Sequence, residues 1–250
     1  MKIAWEAHGE GRTLLLIQGL GYARWSWDPI VPALAGRYRV ISFDNRGIGE
    51  SDKPPGPYTA RELAIDALQV LDEAGIGRAH VLGASLGGMI AQELAVAQPG
   101  RMDKLVLCCT HPGVSHGLPM PEVTLRLFAE AGSLPPEEAL RRFVVNALGD
   151  SPPDELVDEL YRRRLANPPD PDGWQAQAAA GTTFAGVEDQ IAVPTLLVTG
   201  TADNVVDPRN SDVLAERIPG ARVERLEGLG HLFFWEAPER FVRIVEEFLA

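Results

Sequence analysis

Cysteine is scarce in this sequence: two among 250 residues, Cys108 and Cys109, side by side. Neighbours in a strand point to opposite faces, so no disulfide is expected between them. They read as buried thiols acting as small hydrophobes. That usage fits a reducing compartment, and a cytoplasmic location is expected. Positive charge is also short, with 23 Lys+Arg against 35 Asp+Glu and a net charge of -12. No basic run offsets this balance, so a polyanion would be repelled and nucleic acid is not an expected partner. No apolar stretch is long enough to span a bilayer, and no membrane partner is expected. Met1–Glu6 enters a strand-like segment at once, without the apolar core of a secretory signal. Internal repeats, low-complexity tracts, zinc-like His/Cys spacings and a P-loop are all missing. Neither a metal nor an organic cofactor is expected.

What is present is an ordinary globular composition, 45% apolar and 23% charged, long enough for one large domain. Six short apolar runs recur: Leu14–Ile17, Tyr38–Phe43, Ala79–Leu82, Leu105–Cys109, Thr195–Val198 and Val223–Leu226. Runs without polar alternation are what strands buried on both faces look like. Helical periodicity lies between them at Ala60–Ala74, with Thr59 as candidate N-cap, and at Leu86–Ala97, Pro208–Ile218 and Pro238–Leu249. The alternation predicts an α/β fold, a mostly parallel sheet with helices on both faces. It breaks between Pro112 and Ile191. There, helical segments near Pro121–Ala131, Pro136–Leu148, Pro153–Ala166 and Gly173–Phe184 are separated by Pro-rich turns. The expected organisation is a core of residues 1–111 and 192–250, with residues 112–191 as a helical cap, or lid, over the top of the sheet.

The chemistry centres on Gly83-Ala84-Ser85-Leu86-Gly87. A G-x-S-x-G pattern between a strand and a helix is the setting of a nucleophile elbow, where small residues two positions either side of the serine permit a sharp turn. A serine hydroxyl needs an adjacent base. Of five histidines, His231 follows the last strand in the loop Gly228–His231 and is the best placed. His80 should point away, while His111 and His116 read as polar loop residues. An orienting carboxylate should follow a strand and lie between serine and histidine in the chain. Asp203 does so; Asp207 is the rival but looks like a turn or helix-start residue, and Asp189 precedes the strand. The oxyanion hole is expected from the backbone N–H groups of Leu86 and Leu20, the latter in Gln18–Gly21.

With these segments in place, the sequence resembles the α/β-hydrolase superfamily, in its serine esterase and lactonase branch. The resemblance covers almost the whole chain through Leu14–Gly21, Phe43–Asp52, Gly83–Gly88, Gly200–Pro208 and Gly228–Pro238. It implies the α/β-hydrolase fold and the Ser85, Asp203, His231 triad, with a scaffold role for Arg46. Two departures stand out. Gln18-Gly19 replaces the His-Gly of many members, which puts the loop's own bonding in question. The short N-terminus implies that an edge strand of larger members is missing. Serine at the nucleophile position argues against the branches that use a carboxylate there.

The expected activity is hydrolysis of a small to medium carboxylic ester or lactone through an acyl-enzyme, by a monomer or homodimer. The resemblance leaves open an enol-lactonase-like hydrolase, a cofactor-free haloperoxidase or perhydrolase, and a C–C bond hydrolase. Outside catalysis it leaves open a small-molecule receptor that keeps the triad. Gly19, Tyr22, Trp25, Phe128 and Phe233 are candidate pocket residues, with core packing as the plain alternative for the aromatics.

Overall fold

The apolar runs become strands in the computed structural model, which describes residues 1–250. In chain order the strands are β1 (Trp5–His8), β2 (Arg12–Ile17), β3 (Tyr38–Phe43), β4 (Ala79–Ala84), β5 (Met102–Cys108), β6 (Thr195–Gly200) and β7 (Arg222–Leu226). They form one sheet in the order β1-β3-β2-β4-β5-β6-β7. Only β1 is antiparallel, and it is itself the edge strand on that side. The period of two sorts the core. Leu15 and Ile17 of β2 pack into one apolar cluster, and Leu14 and Leu16 into another across the sheet. Both faces of the central strands are thereby dry, which is why those strands carry no polar alternation.

Helices cover both faces: α1 (Val31–Leu34), α2 (Ala60–Glu73), α3 (Leu86–Ala97), α8 (Asn210–Arg217), α9 (Phe233–Glu236) and α10 (Pro238–Leu249). Thr59 caps α2 as expected, in a reciprocal pair with Glu62 that satisfies two free donors at the helix start. His80 on β4 is fully buried, edge-on to Tyr38, with both ring nitrogens unpartnered. Burial holds its pKa below the ordinary value. Cys108 and Cys109 are buried free thiols, and burial raises the pKa of both.

Between β5 and β6 the chain forms only helices: α4 (Glu122–Ala131), α5 (Pro136–Asn146), α6 (Asp154–Ala166) and α7 (Pro171–Thr183), apart from a 3-10 turn at Glu188–Gln190. Helix α7 begins two residues before the expected start. Asp170 accepts from the Gly173 N–H at 2.8 Å and Pro171 occupies the first turn, a stronger start than Gly173 supplies. Small residues bring α7 close to the core. A Cβ on Gly173 would lie 1.9 Å from the Gly47 carbonyl oxygen, and the Tyr58 N–H donates to the Ala176 carbonyl at 3.1 Å. No helix is long and apolar enough to cross a membrane.

Candidate active site

Ser85 sits where β4 turns into α3, with φ 56° and ψ -122°. It is one of two non-glycine residues with positive φ. Such a backbone costs on the order of 1–3 kcal/mol and persists only where the surroundings enforce it. Here they do. A Cβ on Gly83 would meet the Gly87 carbonyl oxygen at 2.2 Å, and one on Gly87 would meet that of Ile17 at 2.1 Å. The Ser85 N–H donates to Cys108 O at 2.9 Å, and the Thr110 hydroxyl donates to Ser85 O at 2.7 Å, tying the turn to the end of β5.

The β2 loop presses on the serine from the other side. A Cβ on Gly19 would lie 2.9 Å from Ser85 Cβ, so only glycine fits. The N–H groups of Leu20 and Leu86 donate to no protein group and remain free for a developing negative charge. Gln18 is bonded through both its side chain and its backbone. Its Oε1 accepts from the Gly19 N–H at 2.7 Å, its Nε2 donates to the Ser26 hydroxyl, and its carbonyl accepts from Asn45 Nδ2 at 2.9 Å. The departure at this position therefore leaves the loop internally clipped.

His231 and Asp203, 28 residues apart, meet at 2.8 Å between Nδ1 and Oδ2. An ionised carboxylate only accepts, so Nδ1 carries the proton and Nε2 is the ring's acceptor. Asp203 Oδ1 accepts from the N–H groups of Val205 at 2.7 Å and Val206 at 2.9 Å. Both side chains are nearly dry, at 10% exposure for His231 and 0% for Asp203. Burial, the largest influence, would lower the His231 pKa, but the charge and hydrogen bond of Asp203, together with Cys109 beside the ring, overcome it and hold the imidazole well above its ordinary value. Cys109, the other positive-φ residue, lies beside this pair. Its Sγ, an Asp203 oxygen and a His231 nitrogen all lie within 4.8 Å of one another. Three such donors could in principle hold a cation. However, both Asp203 oxygens are already engaged and burial keeps the thiol protonated, so the arrangement suits hydrogen bonding better. The Ser85 hydroxyl makes no hydrogen bond to the imidazole, a contact that commonly tightens only when substrate binds.

A base that must be neutral to act gives a signed expectation. Protonation on acidification should silence His231. Because Asp203 favours the imidazolium, kcat/KM should rise with pH through an apparent pKa above about 6.5. A profile flat from pH 5 to 8 would remove His231 from the role.

The rival residues lie elsewhere. Asp207 is paired with the Arg209 guanidinium and backbone at the start of α8, and that pairing lowers its pKa. Asp189 pairs with Arg217. His111 accepts from the Gly113 N–H at 2.9 Å, and His116 pairs with the buried Glu188 at 2.7 Å. Arg46 makes two bonds to Asp66 on α2, as a scaffold residue should. Among the pocket candidates, Gly19 adjoins Ser85. Tyr22 and Trp25 pack with ring centroids 5.7 Å apart and planes tilted by 46°, beside the Gln18–Gly21 loop. Two candidates need correction. Phe233 is fully buried against Phe234 and Phe241, so its apolar surface fills the core. Phe128 is 44% exposed and packs at a tilt against Phe143 within the insertion, because the buried face of α4 is that of Thr124 and Leu127.

Sequence reasoning missed Gln177. It is fully buried on α7 and bonded to both Gly21 and Arg46. The available signal was one amide on a face otherwise made of Gly173, Ala176 and Ala180.

Comparison with known proteins places these features in a family. The family model described as alpha/beta hydrolase fold matches residues 12–238. A pimeloyl-[acyl-carrier protein] methyl ester esterase of Aeromonas hydrophila is 30% identical over 260 residues, covering 100% of both chains. A hydrolase from Pseudomonas aeruginosa of known structure superposes with a TM-score of 0.84 at 31% identity, over 99% of this chain and 94% of the other. The enol-lactonase from Burkholderia xenovorans does so with a TM-score of 0.82 at 28% identity, over 99% and 96%.

Proposed function

The chain belongs to the α/β-hydrolase family, and we propose that within it the protein hydrolyses a carboxylic ester or lactone of small to medium size through an acyl-enzyme. Ser85 attacks the carbonyl carbon. His231 takes the hydroxyl proton and returns it to the leaving alkoxide, and Asp203 holds the imidazole and offsets its charge. The Leu20 and Leu86 N–H groups receive the oxyanion, and loss of one such donor typically costs about 10²–10³ in rate. An activated water then releases the acid. No step requires a metal or an organic cofactor. Residues 112–191 act as a cap over the core of residues 1–111 and 192–250.

The observation that carries this reading is the strained Ser85 backbone with Gly19 directly against it. Strain of that kind is retained where it presents a side chain for work. An aliphatic ester is favoured over other acyl substrates by similarity to the methyl ester esterase, and the enol-lactonase keeps a lactone as the next choice.

The test combines a fluorophosphonate probe with p-nitrophenyl acetate, butyrate and octanoate, a thioester and a five-membered lactone. Labelling on Ser85 and sustained turnover of at least one ester or lactone are expected. One slow burst, with tight ligand binding that survives Ser85→Ala, would make the protein a receptor. No labelling at all would end the serine mechanism.

A further inference from the structure

Gly21, one residue beyond the Leu20 donor, is enclosed by side chains of the helical insertion on three sides. Its N–H donates to Gln177 Oε1 of α7 at 3.1 Å. Its carbonyl accepts from Arg164 of α6 at 2.6 Å, and the same guanidinium lies 4.3 Å from the centre of the Tyr22 ring. On the remaining side a Cβ on Gly21 would meet the indole of Trp174 at 2.6 Å. Gly21 has φ 71°, a left-handed conformation that glycine alone adopts freely.

The loop needs such support, because its own bonding is thin. Within the turn the only backbone bond runs from the Tyr22 N–H to Gly19 O at 3.4 Å, long for a hydrogen bond. Gln18 fixes the Gly19 end, and Leu20 and Tyr22 pack against the core, but no hydrogen bond from the sheet or its flanking helices reaches Gly21. Gln177 does, and its Nε2 donates at 2.8 Å to the carbonyl of Arg46, a residue anchored on α2 through Asp66. The amide thus bridges the loop to the segment that Arg46 ties to α2 and uses one acceptor and one donor in doing so.

We infer that Gln177, with Arg164 on the opposite side of Gly21, is a positioning residue that sets the direction of the Leu20 N–H. The inference rests on the serine-hydrolase reading. The insertion then does more than roof the site: it holds one half of the oxyanion hole in register. A purely structural amide would affect folding and leave transition-state binding alone. A positioning amide affects transition-state binding selectively, because misplacing a reacting group by about 1 Å costs on the order of 10²-fold.

The experiment measures kcat and KM for p-nitrophenyl butyrate, and the affinity of an alkyl boronic acid whose serine adduct mimics the tetrahedral oxyanion. The wild type is compared with Gln177→Leu, Arg164→Met and Arg164→Lys. For Gln177→Leu, kcat should fall about 10- to 100-fold, with KM within about threefold and boronate affinity falling in step with kcat. Arg164→Met should move the same way by a smaller factor, and Arg164→Lys, which keeps a donor, should recover most of it. A folded Gln177→Leu with wild-type kcat and boronate affinity overturns the inference. So does a lower melting temperature with an unchanged ratio of boronate affinity to KM. If Gln177→Leu does not fold, the half-buried Arg164 decides: unchanged boronate affinity in Arg164→Met overturns the inference, and a selective loss supports it. A wild-type protein with neither ester turnover nor boronate binding would sink the serine-hydrolase reading, and the inference with it.

Discussion

Ser85→Ala should lower kcat/KM for p-nitrophenyl butyrate by about 10⁵-fold or more, while the melting temperature stays close to that of the wild type. The first half follows from removing the only atom proposed to form the acyl bond. Residual rate would come from the free N–H groups of Leu20 and Leu86 acting on a water-driven reaction, which in serine triads amounts to about 10³–10⁴ over the uncatalysed rate. The second half follows from the structure. The Ser85 hydroxyl makes no hydrogen bond, so its loss orphans no partner. Alanine inherits the same positive φ without adding bulk. A large loss of stability would mean the hydroxyl is structural. Retention of more than about one per cent of the activity in a contaminant-free preparation would place the nucleophile elsewhere.

The parts of the molecule legible in the sequence are those governed by local pattern. Continuous apolar runs located the central strands, because a strand buried on both faces has no use for polar alternation. Thr59 announced the start of α2, because an N-cap acts within a single turn; the structure adds its reciprocal partner Glu62. The elbow was legible for the same reason: Gly83 and Gly87 are required by contacts with a neighbouring turn and strand that any G-x-S-x-G junction of this type must make. Asp207-Pro208 looks like a turn or helix start, and Asp207 accepts from the Arg209 N–H in the turn that precedes α8, which begins at Asn210.

What was not legible depends on pairing over long stretches of chain. Gln177 meets Gly21 across 156 residues, and Arg164 meets it across 143. No periodicity in α6 or α7 encodes which loop each helix will touch. Cys109 read as a core thiol because it is one, and its place beside His231 appears only when β5 and the last loop are brought together. The aromatics after His231 posed a different difficulty. A phenylalanine beside a catalytic loop lines a pocket or fills the core according to which way a single turn faces, and α9 turns Phe233 inward onto Phe241.

Asp203→Asn should reduce kcat by about 10⁴-fold, whereas Asp207→Asn should change it less than about threefold. The difference lies in what each carboxylate touches. Asp203 Oδ1 accepts from two backbone N–H groups, of Val205 and Val206, and these donors remain after the substitution. The asparagine must therefore turn its carbonyl oxygen toward them, which points its NH₂ at His231 Nδ1. Two donors cannot share that contact, so the ring moves its proton to Nε2, the atom that should accept from Ser85. The imidazole would sit in place in the wrong tautomer. Loss of the negative charge also removes the largest influence opposing burial, so the His231 pKa should drop and the residual activity should extend to lower pH than in the wild type. Asp207 has a different environment. Its oxygens serve the exposed Arg209, and asparagine keeps an acceptor for the Arg209 N–H. Exposed ion pairs contribute little to stability, so neither fold nor chemistry should register the change. Should the pattern invert, with Asp207→Asn nearly dead and Asp203→Asn active at wild-type pH dependence, the orienting role would pass to Asp207, and the 2.8 Å contact between Asp203 and His231 would be a bystander.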